Sequence, residues 1–263
     1  MIAVSLVMVY PLLWLVVSSF KPNAAIFRDL SLFTTDLTLE NYVHGWEDLQ
    51  RPFGVFIANS TIIALGAIIG NLVSCSLAAY AFARLRFAGR NLLFAIMLIT
   101  IMLPFQVVLV PQFTIFRELG WVNTFLPLIV PKFLATDAFF IFLMVQFLRA
   151  LPKEIYEAAR IDGASQWRMY WLISLPLMVP ALATTAIFTF IWTWGDFFGP
   201  LLYLRKPEIF TVSVALKGFI DAQSSSDFGS MFAMSVVSLL PLFLVFLFGQ
   251  RYLLRGFATT GMK

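Results

Sequence analysis

Cysteine and histidine are almost missing: Cys75 and His44 are the only ones among 263 residues. A lone cysteine inside an apolar run leaves neither a disulfide nor a cysteine metal site to be built within the chain. A single histidine removes most histidine-based catalysis and metal binding, and His44 reads as an ordinary loop residue. Charge is scarce as well. Only 12% of residues are charged, and the net +4 comes without an arginine-rich arm or a basic helix face, which argues against nucleic-acid binding. No G-x-x-x-x-G-K-[ST] segment occurs, so the chain has no phosphate loop with which to bind or hydrolyse ATP. Nor do the apolar stretches carry the chain of acidic or histidine residues expected of a proton-coupled pump. No catalytic residue, metal site or cofactor is expected in the chain, and its energy source must lie outside it.

What the sequence has in abundance is apolar length. Sixty per cent hydrophobic residues and a mean hydropathy of +0.89 place it among polytopic membrane proteins, not soluble domains. Six apolar runs stand out, at about 2–20, 55–82, 91–110, 125–148, 176–202 and 231–248. The first has no basic segment before it and no clear small-residue cleavage site, so it reads as a retained transmembrane helix rather than a signal peptide. Neither an internal repeat nor a linker is visible, which predicts one transmembrane domain over residues 1–263.

Within the runs a few residues invite a role. Gly66, Gly70, Ser74 and Ala78 recur every four residues, a small-residue face on which helices approach closely. Asn71 and Ser74 are open to a second reading, as pore-lining groups. Arg84, Arg86 and Arg90 follow with no acidic residue among them, and a short, purely basic loop belongs on the cytoplasmic side. Pro104 and Pro111 each interrupt the helical ladder. Gln106, beside that break, is a candidate for facing a translocation pathway, with a locally satisfied kink as the alternative. Residues 112–124 are expected as an outer loop. Lys132 and Asp137 are five residues apart, a spacing that does not put them on one helical face, so no ion pair is predicted. Trp194 and Asp196 close the fifth run. They read either as a sugar-stacking pair or as part of an interfacial aromatic belt, and the belt is favoured. Residues 203–229, ending in Gln223-Ser224-Ser225-Ser226-Asp227, are expected as an outer loop, solvated by default, whose polarity also suits contact with an external protein.

The most informative stretch is the charged segment 149–175, which contains Glu157-Ala158-Ala159-Arg160-Ile161-Asp162-Gly163-Ala164-Ser165. Pro152 sits where a helix can begin and Gly163 where one can end. The helix between them spans about eleven residues, roughly 16 Å. Ser165 can cap the turn that follows. A short helix, bare at Ala158 and Ala159 and edged by charge, is shaped to enter a groove on another protein.

This run, followed by Ile173-Ser174-Leu175-Pro176, resembles the EAA–G–I-x-L-P loop of permease subunits of bacterial ABC importers. Glu157, Ala158, Ala159, Gly163, Ile173, Leu175 and Pro176 fall at its spacing, and Asp162-Gly163-Ala164 is most like the carbohydrate-uptake, MalG-type branch. Trp194-Gly195-Asp196-Phe197 is similar to the family's W-N-[ED]-F segment, with Gly195 in place of the usual asparagine. The resemblance implies an all-α fold of the type I ABC importer permease kind, with six transmembrane helices and a short cytoplasmic coupling helix. It implies a multi-pass protein of a bacterial or archaeal plasma membrane with both termini cytoplasmic. The partners implied are a second homologous permease, two ATPase subunits that bind the ATP, an external solute-binding protein and the surrounding lipid bilayer. Glu157, Ala158, Ala159, Asp162 and Gly163 would couple to the ATPase. Asn71, Gln106, Trp194 and Asp196 are the pathway candidates. A permease for another polar solute, such as a glycerol phosphodiester, is the nearest alternative, and a self-sufficient channel or ion-coupled carrier the alternative from another class.

Overall fold

The computed structural model describes residues 2–33, 36–220 and 226–258. Gln223, Ser224 and Ser225 and the final Lys263 lie outside the described residues. Every regular element among the described residues is helical: α1 (Ile2–Ser18), α2 (Glu40–Glu47), α3 (Phe53–Arg84), α4 (Arg90–Thr100), α5 (Phe105–Glu118), α6 (Leu126–Ile129), α7 (Ala138–Ala150), α8 (Lys153–Ile161), α9 (Gln166–Met169), α10 (Leu175–Leu177), α11 (Val179–Gly195), α12 (Phe198–Tyr203), α13 (Val212–Lys217) and α14 (Phe228–Ala258). Among the described residues, three stretches are long and apolar enough to cross a membrane: Phe53–Arg84, Leu126–Ala150 and Phe228–Arg251. Taken as one span, the bent pair Gln166–Leu177 and Val179–Gly195, whose halves meet at 72°, makes a fourth. The bend has a chemical cause. Pro176 cannot donate a backbone hydrogen bond, and a π-helical turn at Tyr170–Ser174 precedes it. The runs at 2–20 and 91–110 correspond to the shorter apolar helices α1 and α4.

The chain forms two compact units, Met1–Ile62 with Trp194–Leu244, and Ile63–Thr193 with Val245–Lys263. In the first, Lys21 is wholly buried, which a lysine tolerates only with full pairing. Its Nζ donates to Asp29 O (2.6 Å) and Ser31 O (2.7 Å), with the Asp29 carboxylate 3.5 Å away. Asn41 Nδ2 in α2 then donates to Ser19 O and Lys21 O, each at 2.8 Å. Gly229 passes so close that a Cβ there would collide with the Asn41 amide.

Residues 203–220 are not the solvated loop the sequence suggested. They contain a 3₁₀ turn at Pro207–Ile209 and helix α13, with Val212, Val214 and Ala215 buried. Asn59 Nδ2 donates to Glu208 O (2.9 Å) and Phe210 O (3.0 Å), while Ser60 Oγ accepts the Val212 N–H at 2.9 Å. Two polar residues near the start of α3 therefore hold this segment down, replacing the water its backbone would otherwise need.

In the second unit the small-residue face of α3 does what its spacing predicts. A Cβ on Gly66 would lie 3.0 Å from Ile129 side-chain carbons, and one on Gly70 would lie 2.9 Å from Lys132 Cβ. Ser74 Oγ donates to Lys132 O at 2.6 Å. Two expectations fail here. Residues 112–124 are not all loop, because α5 runs on to Glu118: Pro104 is its N-cap, and Pro111 is carried inside the helix. Lys132 and Asp137 do form an ion pair, at 2.8 Å. The segment between them is no α-helix. A 3₁₀ turn at Val130–Leu134 is followed by Ala135 in the left-handed region, φ +54°, and this reversal brings Asp137 back beneath Lys132.

Candidate functional site

At 1.5 Å per residue α3 is about 48 Å long, well beyond the ~30 Å hydrocarbon thickness. Its C-terminal turns carry Ser76, Tyr80 and Arg84, spaced four apart and so aligned on one face. Each grips the charged segment 149–175. Ser76 Oγ and Tyr170 Oη are 2.8 Å apart, and Tyr80 Oη donates to Gln166 Oε1 at 2.9 Å. Arg84 donates through Nη2 to Leu148 O and Leu151 O at the C-terminal end of α7, where the helix dipole favours a cation. The same guanidinium lies over the Tyr156 ring of α8, 3.8 Å from its centroid. Tyr156 is buried, and its hydroxyl is 3.0 Å from Ser174 Oγ, itself without exposed surface.

Helix α8 is thus held by one face. Pro152 at its N-cap is extended (φ −55°, ψ 136°), and Gly163 beyond its end has φ +75°. Gly163 N–H donates to Arg160 O (3.1 Å) and Ala164 N–H to Ala159 O (2.9 Å). That pair of bonds is a Schellman motif, which requires the left-handed residue glycine supplies best. Ser165 then accepts the Arg168 N–H at 3.3 Å, capping α9 as its position predicts.

The two alanines divide between the faces. Ala159 is half-buried and packs on the core of this unit, whereas Ala158 is exposed. Ile155, Ala158 and Ile161 follow one another at three-residue steps on the outer side, and Ile161 is 87% exposed. Glu154, Glu157, Arg160 and Asp162, all exposed, border that strip. A rigid strip of small and branched apolar groups fenced by charge has the chemistry of a protein contact.

The other candidate residues stand apart from it. Asn71 has no exposed surface, and its Nδ2 donates to Asp137 Oδ2 (2.7 Å) and Thr189 Oγ1 (3.0 Å). Gln106 is exposed, as the second residue of α5 in its first turn. Trp194 is 4% exposed, and its Nε1 donates to Ser238 O at 3.0 Å, so it is neither a membrane-interface aromatic nor an open stacking platform. Asp196 is half-buried, with Oδ1 accepting the Gly199 N–H at 3.2 Å and its backbone carbonyl accepting from Ser213 Oγ. Sequence reasoning overlooked Ser76 and Tyr80, and read Arg84 only as part of a basic cytoplasmic loop. The signal was present, as a polar four-residue repeat running out of an apolar span.

With this geometry in hand, comparison with known proteins is specific. The family model described as "Binding-protein-dependent transport system inner membrane component" matches residues 70–259. The arabinooligosaccharides transport system permease protein AraQ of Halalkalibacterium halodurans is 33% identical, over 99% of this chain and 93% of its own length. The trehalose/maltose transport system permease protein MalG of Thermococcus litoralis is 34% identical, over 100% of this chain and 94% of its own. Among solved structures, a chain of a bacterial ABC transporter involved in the import of the acidic polysaccharide alginate superposes with a TM-score of 0.83 at 25% identity, covering 95% of this chain and 92% of that one.

Proposed function

Since the chain belongs to the family of binding-protein-dependent transport system inner membrane components, we propose that it forms half of the pathway of an ATP-driven carbohydrate importer. Two relatives of nearly equal length are named for oligosaccharide or disaccharide transport, and the superposable structure imports a polysaccharide. These support a sugar or oligosaccharide as solute. The observation that carries the coupling role is α8 itself, buried on the Tyr156 side and bare on the Ala158 side.

In this reading Glu157, Ala158 and Asp162 enter a groove on a cytoplasmic ATPase, Ala159 seats the helix on its platform, and Gly163 fixes its end. Closure of two ATPase subunits on ATP moves α8, and the platform bonds from Ser76, Tyr80 and Arg84 pass that movement to α3. The switch is a rigid-body change between two states of the pathway. Gln106 and Asp196 contact the solute, whereas Asn71 and Trp194 hold the walls. The basic loop Arg84–Arg90 and the segment 149–175 face the cytoplasm, as do both termini. A second permease and an external solute-binding protein complete the importer.

The test is a mild-detergent pull-down of the tagged chain from its native membrane, with mass spectrometry of what accompanies it. Recovery of an ATPase, a second permease and a binding protein is expected, and that binding protein can be screened against sugars. A chain that comes alone and carries solute in liposomes without ATP overturns the reading.

A further inference from the structure

Two clefts open on either side of the turn that joins α3 to α4. One, of about 380 Å³, is lined by Arg86, Phe87, Gly89, Arg90, Asn91 and Leu92. Its neighbour, of about 430 Å³, is lined by Arg84, Leu85, Arg86, Phe87, Arg160 and Gln166. Arg86 and Phe87 form the wall between them, and no lining residue of either is acidic. Along the chain there is no Asp or Glu between Asp48 and Glu118. Among the described residues no carboxylate pairs with Arg86, Arg90 or Arg160 within ion-pair distance. Arg90 Nη1 is turned to Leu85 O (3.1 Å), and Arg84 Nε, closed off from water, has no acceptor. Arg86 and Arg90 thus line the first cleft and Arg84, Arg86 and Arg160 the second, with no carboxylate among the lining residues, a setting that favours an anion with several oxygens.

The surroundings say which kind. Phe87 is exposed at the wall, and α4, which begins at Arg90, buries none of its residues. Leu92, Ile96 and Ile99 lie on one side of α4 and are each at least half exposed or close to it, forming an apolar track that starts in the first cleft. A soluble acidic protein would match the arginines but not the track. We propose that the Arg86–Phe87 turn is a binding site for an anionic phospholipid, its phosphate between the arginines and an acyl chain along α4. The position fits that chemistry, at the point where the apolar run of α3 ends and polar backbone begins.

Native mass spectrometry of the purified full-length chain tests the site, after incubation with equal amounts of phosphatidylglycerol and phosphatidylcholine of the same acyl chains. Wild-type chain should retain phosphatidylglycerol preferentially. Arg86→Gln should retain about fivefold less, the factor that one arginine near a charged surface contributes. Arg86 is exposed and makes no hydrogen bond that the fold depends on, so this variant should fold as the wild type. Arg28→Gln, an exposed arginine in the loop after α1, should change nothing. Equal retention of the two lipids, or undiminished retention by Arg86→Gln, overturns the site. Complete displacement of the lipid by excess inorganic phosphate marks a free-anion site and also overturns it. So does indifference to lipid combined with weaker ATPase co-purification in Arg86→Gln, which would make the cleft a protein contact. The readout needs neither ATP nor transport, so it stands independently of the importer reading.

Discussion

Arg84 and Tyr156 meet face to edge of helix, the guanidinium 3.8 Å from the ring centroid, and through that contact the last residue of α3 holds the exposed helix α8. The arginine also closes the end of α7 through Leu148 O and Leu151 O. One side chain therefore ties three helices, and a rigid tie is what a lever needs. Replacing it by lysine would keep the charge but lose the planar fork that serves two carbonyls and a ring together.

Arg84→Ala is expected to destabilise the protein by about 2 kcal/mol, from lost charged hydrogen bonds, and to loosen α8. Tyr156→Phe removes only the hydroxyl contact to the buried Ser174 Oγ and should cost about 1 kcal/mol. Thermal unfolding in detergent measures both. ATPase stimulation by loaded binding protein should fall in Arg84→Ala well beyond its loss of stability, and persist in Tyr156→Phe. Equal coupling in the two variants would count against the tie.

Gly163→Asp is expected to weaken coupling, through the backbone conformation it must adopt and through an acid placed beside Asp162. No atom lies within 4 Å of a Cβ built there, so bulk is not the obstacle; the φ of +75° is. Gly163→Val should then cost about 1–2 kcal/mol, and Gly163→Asn less, because asparagine enters the left-handed region more readily. Any further loss of ATPase pull-down in Gly163→Asp relative to Gly163→Asn isolates the charge. Identical behaviour of valine and asparagine variants would show that the helix end does not depend on glycine.

What was legible in the sequence was whatever depends on neighbours along the chain. Pro152, Gly163 and Ser165 delimit α8 and start α9 because capping is local, and apolar runs mark spans because hydrocarbon length is fixed. What stayed hidden depends on distant partners or a local reversal. Trp194 looked like a surface aromatic because its acceptor, Ser238 O, lies 44 residues away. Residues 208–212 looked solvated because the groups that satisfy them, Asn59 and Ser60, sit on another helix. The Lys132–Asp137 pair was missed because helical spacing was assumed across a 3₁₀ turn and a left-handed alanine.

Acid should weaken the first unit in a definite window. The Arg51 hydrogen bond, 3.0 Å from Nη2 to Oε1, is the main cause holding the Glu208 carboxyl below its ordinary value. Asp29 is lowered too, first by the side chain and backbone N–H of Ser31 and only then by Lys21. A carboxyl with a lowered folded pKa stabilises the fold above its unfolded value, and that share is lost as pH falls through the folded one. Stability should be flat near neutrality and decline below about pH 4.5, the ordinary value for Glu208. Both partners are half exposed, so the effect is small and shrinks with salt. Glu208→Gln should flatten part of the decline in melts taken from pH 6 down to pH 3, leaving the Asp29 share. An unchanged profile would mean the pair contributes nothing.

The Lys132–Asp137 pair makes the sharpest demand, because its charges lie within a membrane-spanning stretch and are only 30% and 25% exposed. Asp137 also accepts from Asn71 Nδ2, which in turn meets Thr189 Oγ1, so one carboxylate joins the 3₁₀ turn, α3 and α11. Asp137→Leu strands the Lys132 ammonium and leaves the buried Asn71 short of an acceptor. A loss of about 3–5 kcal/mol is expected for breaking such a pair from one side. Lys132→Met strands the carboxylate instead, but Asn71 still donates to it, so the loss should be smaller. Removing both charges should cost less than the sum of the single changes, since no unpaired ion remains. Thermal melts of the two single variants and the double variant close the cycle. Strict additivity would mean that water or lipid headgroups serve each charge separately, and that the break within Leu126–Ala150 is held by the Ala135 backbone alone.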